Sequence, residues 1–182
     1  MAIKTTHWKN GRHEGVSRQR GFALLIALIF MSVMLSFGLA LSSLAYKQQT
    51  LAASSVESQY AFYAADAALE CALYADQQNG GQPSLFTYPQ ANPGVAPIMS
   101  CDGNSAVSSS EAWSSTKWIV SSRLSLDAGT HCADVTVYKY KDPQLPNNDT
   151  TYIFSQGYDV SCGTVASPGA ARFASRGLQA SY

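Results

Sequence analysis

Cys71, Cys101, Cys132 and Cys162 stand at spacings of 30, 31 and 30 residues, and they are the side chains with the most chemistry to offer. Four thiols can bind zinc or pair with one another. Zinc sites are built from close ligand pairs such as CxxC, with histidines to complete the set. No such pair exists here, and of three histidines His7 and His13 fall in a basic N-terminal stretch, leaving His131. An even cysteine count on the exported side of a membrane, argued below, reads as two disulfides, and four cysteines allow three connectivities. A Cys71 to Cys101 bridge would close a loop of about 30 residues, contributing about 3 to 4 kcal/mol in the chain-entropy account. For the other pair, Cys132 to Cys162 is favoured.

Other constellations are absent or explained by turns and surfaces. There is no HExxH, no GxSxG, no glycine-rich phosphate loop and no basic-aromatic stripe, so no catalytic residue, cofactor or metal is assigned and the chain does not read as an enzyme. Asp66 and Glu70 are like charges at i and i+4; they read as a solvated face, with Arg172 or Arg176 as conceivable partners. The oxygen-rich segments Asp102-Gly103-Asn104 and Asn147-Asn148-Asp149 lack the regular ligand spacing of a calcium loop, and turn chemistry accounts for both. Asn148-Asp149-Thr150 also fits the short glycosylation acceptor pattern.

The elements that must position the cysteines begin with a charge asymmetry. Before Gly21 there are five basic residues (Lys4, Lys9, Arg12, Arg18, Arg20) against Glu14, a balance of +4, while the rest holds seven basic and eleven acidic residues, or −4. A body of that sign offers no general attraction to nucleic acid. Phe22 to Ala45 then runs for 24 residues without a charge. As a helix it would measure roughly 36 Å, enough to cross a hydrocarbon core of about 30 Å. Positive charge on its N-terminal side keeps the N-terminus in the cytoplasm and sends everything after Tyr46 across the membrane. A secretory signal cut after Ser43-Leu44-Ala45 is the competing reading, but the apolar core is longer than such signals carry.

From Leu39 to Asn79 there is no proline or glycine. Val56, Tyr60, Tyr63, Ala67, Cys71 and Tyr74 recur at spacings of three and four, and alanines are abundant, so one helix is expected from about Phe22 to Asp76. Its first half (22–45) is apolar all round and its second (46–79) amphipathic. Asn79-Gly80-Gly81 and Pro83 end it. Residues 80–115, rich in Pro, Gly, Ser and Asn, read as a long surface loop. Residues 116–182 read as an antiparallel sheet of about four strands: 117–126, with Trp118, Val120, Leu124 and Leu126 on one face; 132–140; 151–162; and 172–182. Folding the middle pair about Asn147 puts Cys132 opposite Cys162, with a bulge near Gly157 needed to match the apolar faces. The fold class is α+β, a long N-terminal helix packed on a C-terminal antiparallel sheet.

"SRQRGFALLIALIF", followed by this layout over the whole chain, resembles the type IV pilins. Arg18-Gln19-Arg20-Gly21-Phe22 is similar to their prepilin cleavage junction, and "QYAFYAADAALECAL" (Gln59 to Leu73) resembles the alanine-rich segment of PilX-type minor pilins, with Asp66 and Ala68 at positions that are Glu and Gly there. The resemblance implies that prepilin peptidase removes residues 1–21 after Gly21 and that Phe22 becomes an N-methylated mature start. It implies other pilin subunits and the pilus assembly platform as partners, and a route from the inner membrane to a periplasmic or extracellular filament. Pilins usually carry a glutamate at the fifth mature position, which is Ile26 here; the K-type tip pseudopilin also lacks it. Ile26 therefore directs the expectation to a subunit at or near the tip or initiation complex. Pilins also commonly have a helix-breaking proline where this chain has Ser43. The alternative from another class is a single-pass anchored surface protein that binds an envelope or external ligand without polymerising.

Overall fold

A computed structural model of the protein describes residues 20–77, 84–141 and 150–182. Most of the basic leader, the Asn79-Gly80-Gly81 helix stop with Pro83, and Asn147-Asn148-Asp149 lie outside the described residues. The chain divides into two compact units, one up to Thr50 and one from Leu51 onward. Helix α1, Arg20–Gln77, is 58 residues long and contributes to both. Its continuity follows from composition, because Gly21 and Gly38 are its only glycines and it contains no proline.

In the second unit α1 lies on an antiparallel sheet. The strands are β1 (Ser100–Cys101) and β2 (Asn104–Ser105), which form a small separate hairpin, then β3 (Ser108–Trp113), β4 (Lys117–Leu126), β5 (His131–Tyr140), β6 (Thr150–Tyr158) and β7 (Ser175–Ser181). The main sheet is a five-stranded meander in the order β3-β4-β5-β6-β7. That is one strand more than the sequence suggests. The addition, β3, falls in the stretch read as surface loop; its sequence SSSEAW carries no apolar alternation, and it is held by pairing with β4. Ser109 and Ser122 hydroxyls meet at 3.2 Å, and Trp118 Nε1 donates to Glu111 Oε2 at 2.9 Å. The same stretch also supplies Phe86 and Met99, two of the largest fully buried side chains, so residues 84–115 cannot be described as a surface loop.

The register of β5 and β6 differs from the sequence-based expectation by four residues. Cys132 pairs with Tyr158, Val135 with Ser155 and Val137 with Ile153, and the pairing is continuous, without a bulge at Gly157. Cys162 lies beyond the strand, as the first residue of the short helix α2 (Cys162–Ala166), whose N-cap Ser161 accepts from the Thr164 N–H. From there it reaches back to Cys132. The structure thus pairs Cys71 with Cys101 and Cys132 with Cys162, with Cα separations of 6.1 and 4.8 Å.

The helix face that meets the sheet is not the stripe of Val56, Tyr60, Tyr63 and Tyr74, all of which are exposed. It is an alanine stripe: Ala61, Ala64, Ala65, Ala68, Ala72 and Ala75 are buried. Small side chains let the helix backbone approach the strands, and Gly157 marks the closest point. A Cβ there would sit 2.2 Å from the Ala61 carbonyl oxygen and 2.3 Å from the Ala65 nitrogen. Beside it Ser155 Oγ donates to the Ala65 carbonyl at 2.7 Å. The core between the layers is completed by Val120, Leu124, Val135, Val137 and Ile153 from the inward positions of β4, β5 and β6.

Candidate functional site: an apolar helix segment and a polar lock

In the first unit the helix segment from Phe22 to Leu44 presents leucines, isoleucines, phenylalanines and methionines on every side, and all of its residues are exposed. Phe22 is 69% exposed and Ile26 51%. Large apolar side chains left uncovered on this scale call for a non-aqueous partner, either lipid or other helices. By length and composition the segment can cross a membrane.

Its few polar groups are adapted to that setting. Ser32 Oγ donates to the Ile29 carbonyl at 2.8 Å, Ser36 Oγ to the Ser32 carbonyl at 2.8 Å, and Ser43 Oγ to the Ala40 carbonyl at 2.9 Å. These three hydroxyls are satisfied within the helix and carry no unmet hydrogen bond into hydrocarbon. Gly38, where a Cβ would meet nothing within 4 Å, lies on a different face, while Ser32, Val33, Ser36, Phe37 and Ala40 surround a shallow depression. A neighbouring helix can approach closely along such a face. The Gly21–Phe22 bond sits in the first turn of α1, and a Cβ on Gly21 would likewise meet nothing.

In the second unit the end of α1 is locked to the sheet by a buried polar cluster that sequence reasoning missed. Asp76 is buried and takes three donors: Lys139 Nζ and the Tyr182 hydroxyl on Oδ2, and Ser84 Oγ at 2.5 Å on Oδ1. Lys139 is itself buried on the inward face of β5. Burial raises the pKa of the Tyr182 hydroxyl, and its hydrogen bond to Asp76 raises it further. The signal was present in the pattern: Asp76 continues the alanine stripe after Ala72, and Lys139 shares the parity of Val135 and Val137. A charge at each apolar position requires a partner.

On the opposite face of the sheet Arg123 donates twice to Asp134 at 2.7 Å, and Tyr158 donates to the same carboxylate at 3.3 Å. The pair with Asp134 raises the Arg123 pKa, while burial and then Asp134 raise that of Tyr158. Arg176 donates to Ser58 at 2.7 Å and meets neither Asp66 nor Glu70, which have no ion-pair partner among the described residues. Asp102 and Gly103 form the two-residue turn of the β1–β2 hairpin with φ of 51° and 72°, the left-handed pair such turns require. Asp102 Oδ2 accepts the Asp127 N–H at 2.9 Å. Among the described residues no group of three or more histidines, cysteines and acids could hold a metal.

No family model, curated protein or solved structure matches the chain.

Proposed function

We propose that the chain is a minor subunit of a type IV pilus-like filament, made as a prepilin and cut after Gly21. The observation that carries this reading is the uncharged segment Phe22–Leu44. It is apolar on every side with the hydroxyls of Ser32, Ser36 and Ser43 satisfied internally, it follows a basic leader ending at the Gly21-Phe22 junction, and it runs unbroken into the alanine stripe of a disulfide-linked domain. A membrane anchor needs only the first of these features. A segment that leaves lipid to pack among other helices also benefits from the small residues Ser32, Ser36 and Ala40 along one face. Phe22 would be the N-methylated start, and other subunits, the peptidase and the assembly platform the partners.

Ile26 favours a place at or near the tip. A carboxylate costs about 2.5 to 3.5 kcal/mol to insert at the centre of such a helix and less at Ile26 near its end, and a subunit with no amine above it gains by omitting that cost. The same residue is compatible with the second reading, an anchored surface protein that never polymerises.

The test is the intact mass and N-terminal peptide of the protein purified from its native membrane. A start at N-methylated Phe22 is expected; a start at Met1 or Ala2 would replace the proposal with the anchored protein, and one at Tyr46 with a secreted domain. Gly21→Ala should leave the leader uncut, and because a Cβ at residue 21 meets nothing, that result would report recognition rather than folding.

A further inference from the structure

The outer face of the sheet, which turns away from the helix, is not uniformly polar. One-sided antiparallel sheets normally alternate apolar-in and polar-out. Here the outward positions toward the β5–β6 connection carry Tyr138 and Tyr140 on β5 and Tyr152 and Phe154 on β6; Tyr138 is half-buried and the other three are exposed. With Thr150 they line a shallow groove of about 620 Å³. The Tyr138 and Tyr140 rings are parallel to within 8°, their centroids 6.4 Å apart. Phe154 meets Tyr138 edge-on at 5.6 Å, and Tyr152 meets Tyr140 edge-on at 5.8 Å, so two perpendicular rings from β6 flank the pair. From the neighbouring strand β4, Lys117 Nζ stands 5.1 Å from the Tyr138 centroid and 5.3 Å from that of Tyr140.

These groups define a ligand chemistry. Parallel aromatic rings offer electron-rich faces to a flat unit whose C–H bonds are weakly positive. Three phenol hydroxyls and Thr150 can exchange hydrogen bonds with a polyhydroxylated ligand. A single ammonium, held over the edge shared by the two rings, suits one acidic substituent. Single-stranded nucleic acid also stacks on aromatic sheet faces, but it relies on a positively charged groove along its backbone. The lining of this groove carries no charge, and one ammonium, Lys117, stands at its rings, so no run of cations follows a phosphate backbone.

We infer that this face is a binding site for an external glycan, with a pyranose ring laid on Tyr138 and Tyr140 and a carboxylate-bearing sugar facing Lys117. The inference does not depend on whether the apolar helix polymerises, since an anchored protein would display the same face.

The experiment uses the full chain in micelles of a detergent without a sugar headgroup, titrated calorimetrically with trimannuronate, neutral mannotriose and oligothymidylate. Saturable binding of trimannuronate, tighter than mannotriose, is expected. Tyr138→Ala and Tyr140→Ala should each weaken it by about tenfold, the scale of one aromatic stacking contact. Tyr140→Phe should keep the stacking and most of the affinity, and Lys117→Gln should erase the preference for the acidic sugar. Thermal melts of each variant separate a lost site from a lost fold. Failure of either sugar to bind, an unchanged affinity in the folded tyrosine variants, or binding of the neutral sugar alone would overturn the proposal. Binding of oligothymidylate in preference to trimannuronate would overturn it in favour of a nucleic-acid surface.

Discussion

The two halves of α1 use opposite side-chain strategies within one uninterrupted helix. Between Phe22 and Leu44 the side chains are large and all are exposed; between Ala61 and Ala75 the side chains facing the sheet are alanines, and they are buried. Bulk on every side suits a fluid or adaptable surrounding, because lipid chains and neighbouring helices can conform to it. Smallness on one side suits a fixed partner, because the gain comes from a close approach of two rigid backbones at Gly157 and Ser155. Hydrophobicity alone does not identify which helix face is buried. Here the larger apolar residues Val56, Tyr60 and Tyr63 remain outside while alanines form the interface.

The contrast breaks most readily in the first half. Leu35→Arg places a charge near the centre of the apolar segment and should cost about 2.5 to 3.5 kcal/mol of insertion free energy, whereas Ala67→Arg, exposed on the second half, should cost nothing. A membrane-insertion reporter assay compares the two; equal behaviour would remove the distinction between the halves. In the second half Gly157→Ala drives a Cβ against the helix backbone and should destabilise the second unit by about 1 to 3 kcal/mol, read from its denaturation midpoint in micelles. An unchanged midpoint would mean that helix and sheet separate without cost.

The smallest effect sharpens the picture of the lock. Tyr182→Phe removes one donor to Asp76, leaving Lys139 and Ser84, and should cost about 1 kcal/mol at neutral pH. The folded pKa of Tyr182 is raised above its unfolded value of about 10. Its contribution is therefore complete below pH 10 and is lost as the pH rises further, because the unfolded chain releases the proton first. Stability curves of the two proteins should converge above pH 10; parallel curves would place the hydroxyl outside the coupling.

Much of this arrangement was legible, and what was not has physical causes. β4 is visible as alternation with Ile119 as the exception, and the structure buries Trp118, Val120, Leu124 and Leu126 together as that pattern requires. β3 is invisible because an edge strand of serines takes its order from its neighbour rather than from its own side chains. The β5–β6 register is hidden in the sequence because Cys162 bonds to Cys132 without being its strand partner: the chain turns after Tyr158 and brings the thiol back. The Asp76 cluster joins residues 63 and 106 positions apart, so the pairing of its members appears only once the strands are in register. The aromatic groove was hidden for the same reason, since Tyr138 and Phe154 become neighbours only through that pairing.

The bridge between Cys71 and Cys101 has a mechanical consequence. A pull transmitted along α1 reaches Cys71 on the helix and passes covalently to β1, bypassing the intervening chain. At roughly 3.3 to 3.6 Å per extended residue, that detour withholds about 100 Å of contour from unravelling. The second bridge, with the same sequence separation of 30, withholds as much again within the sheet. Under tension the disulfide-linked unit therefore has far less slack to release than its length suggests, and reduction of the two bonds would turn a short, stiff tether into a long, extensible one.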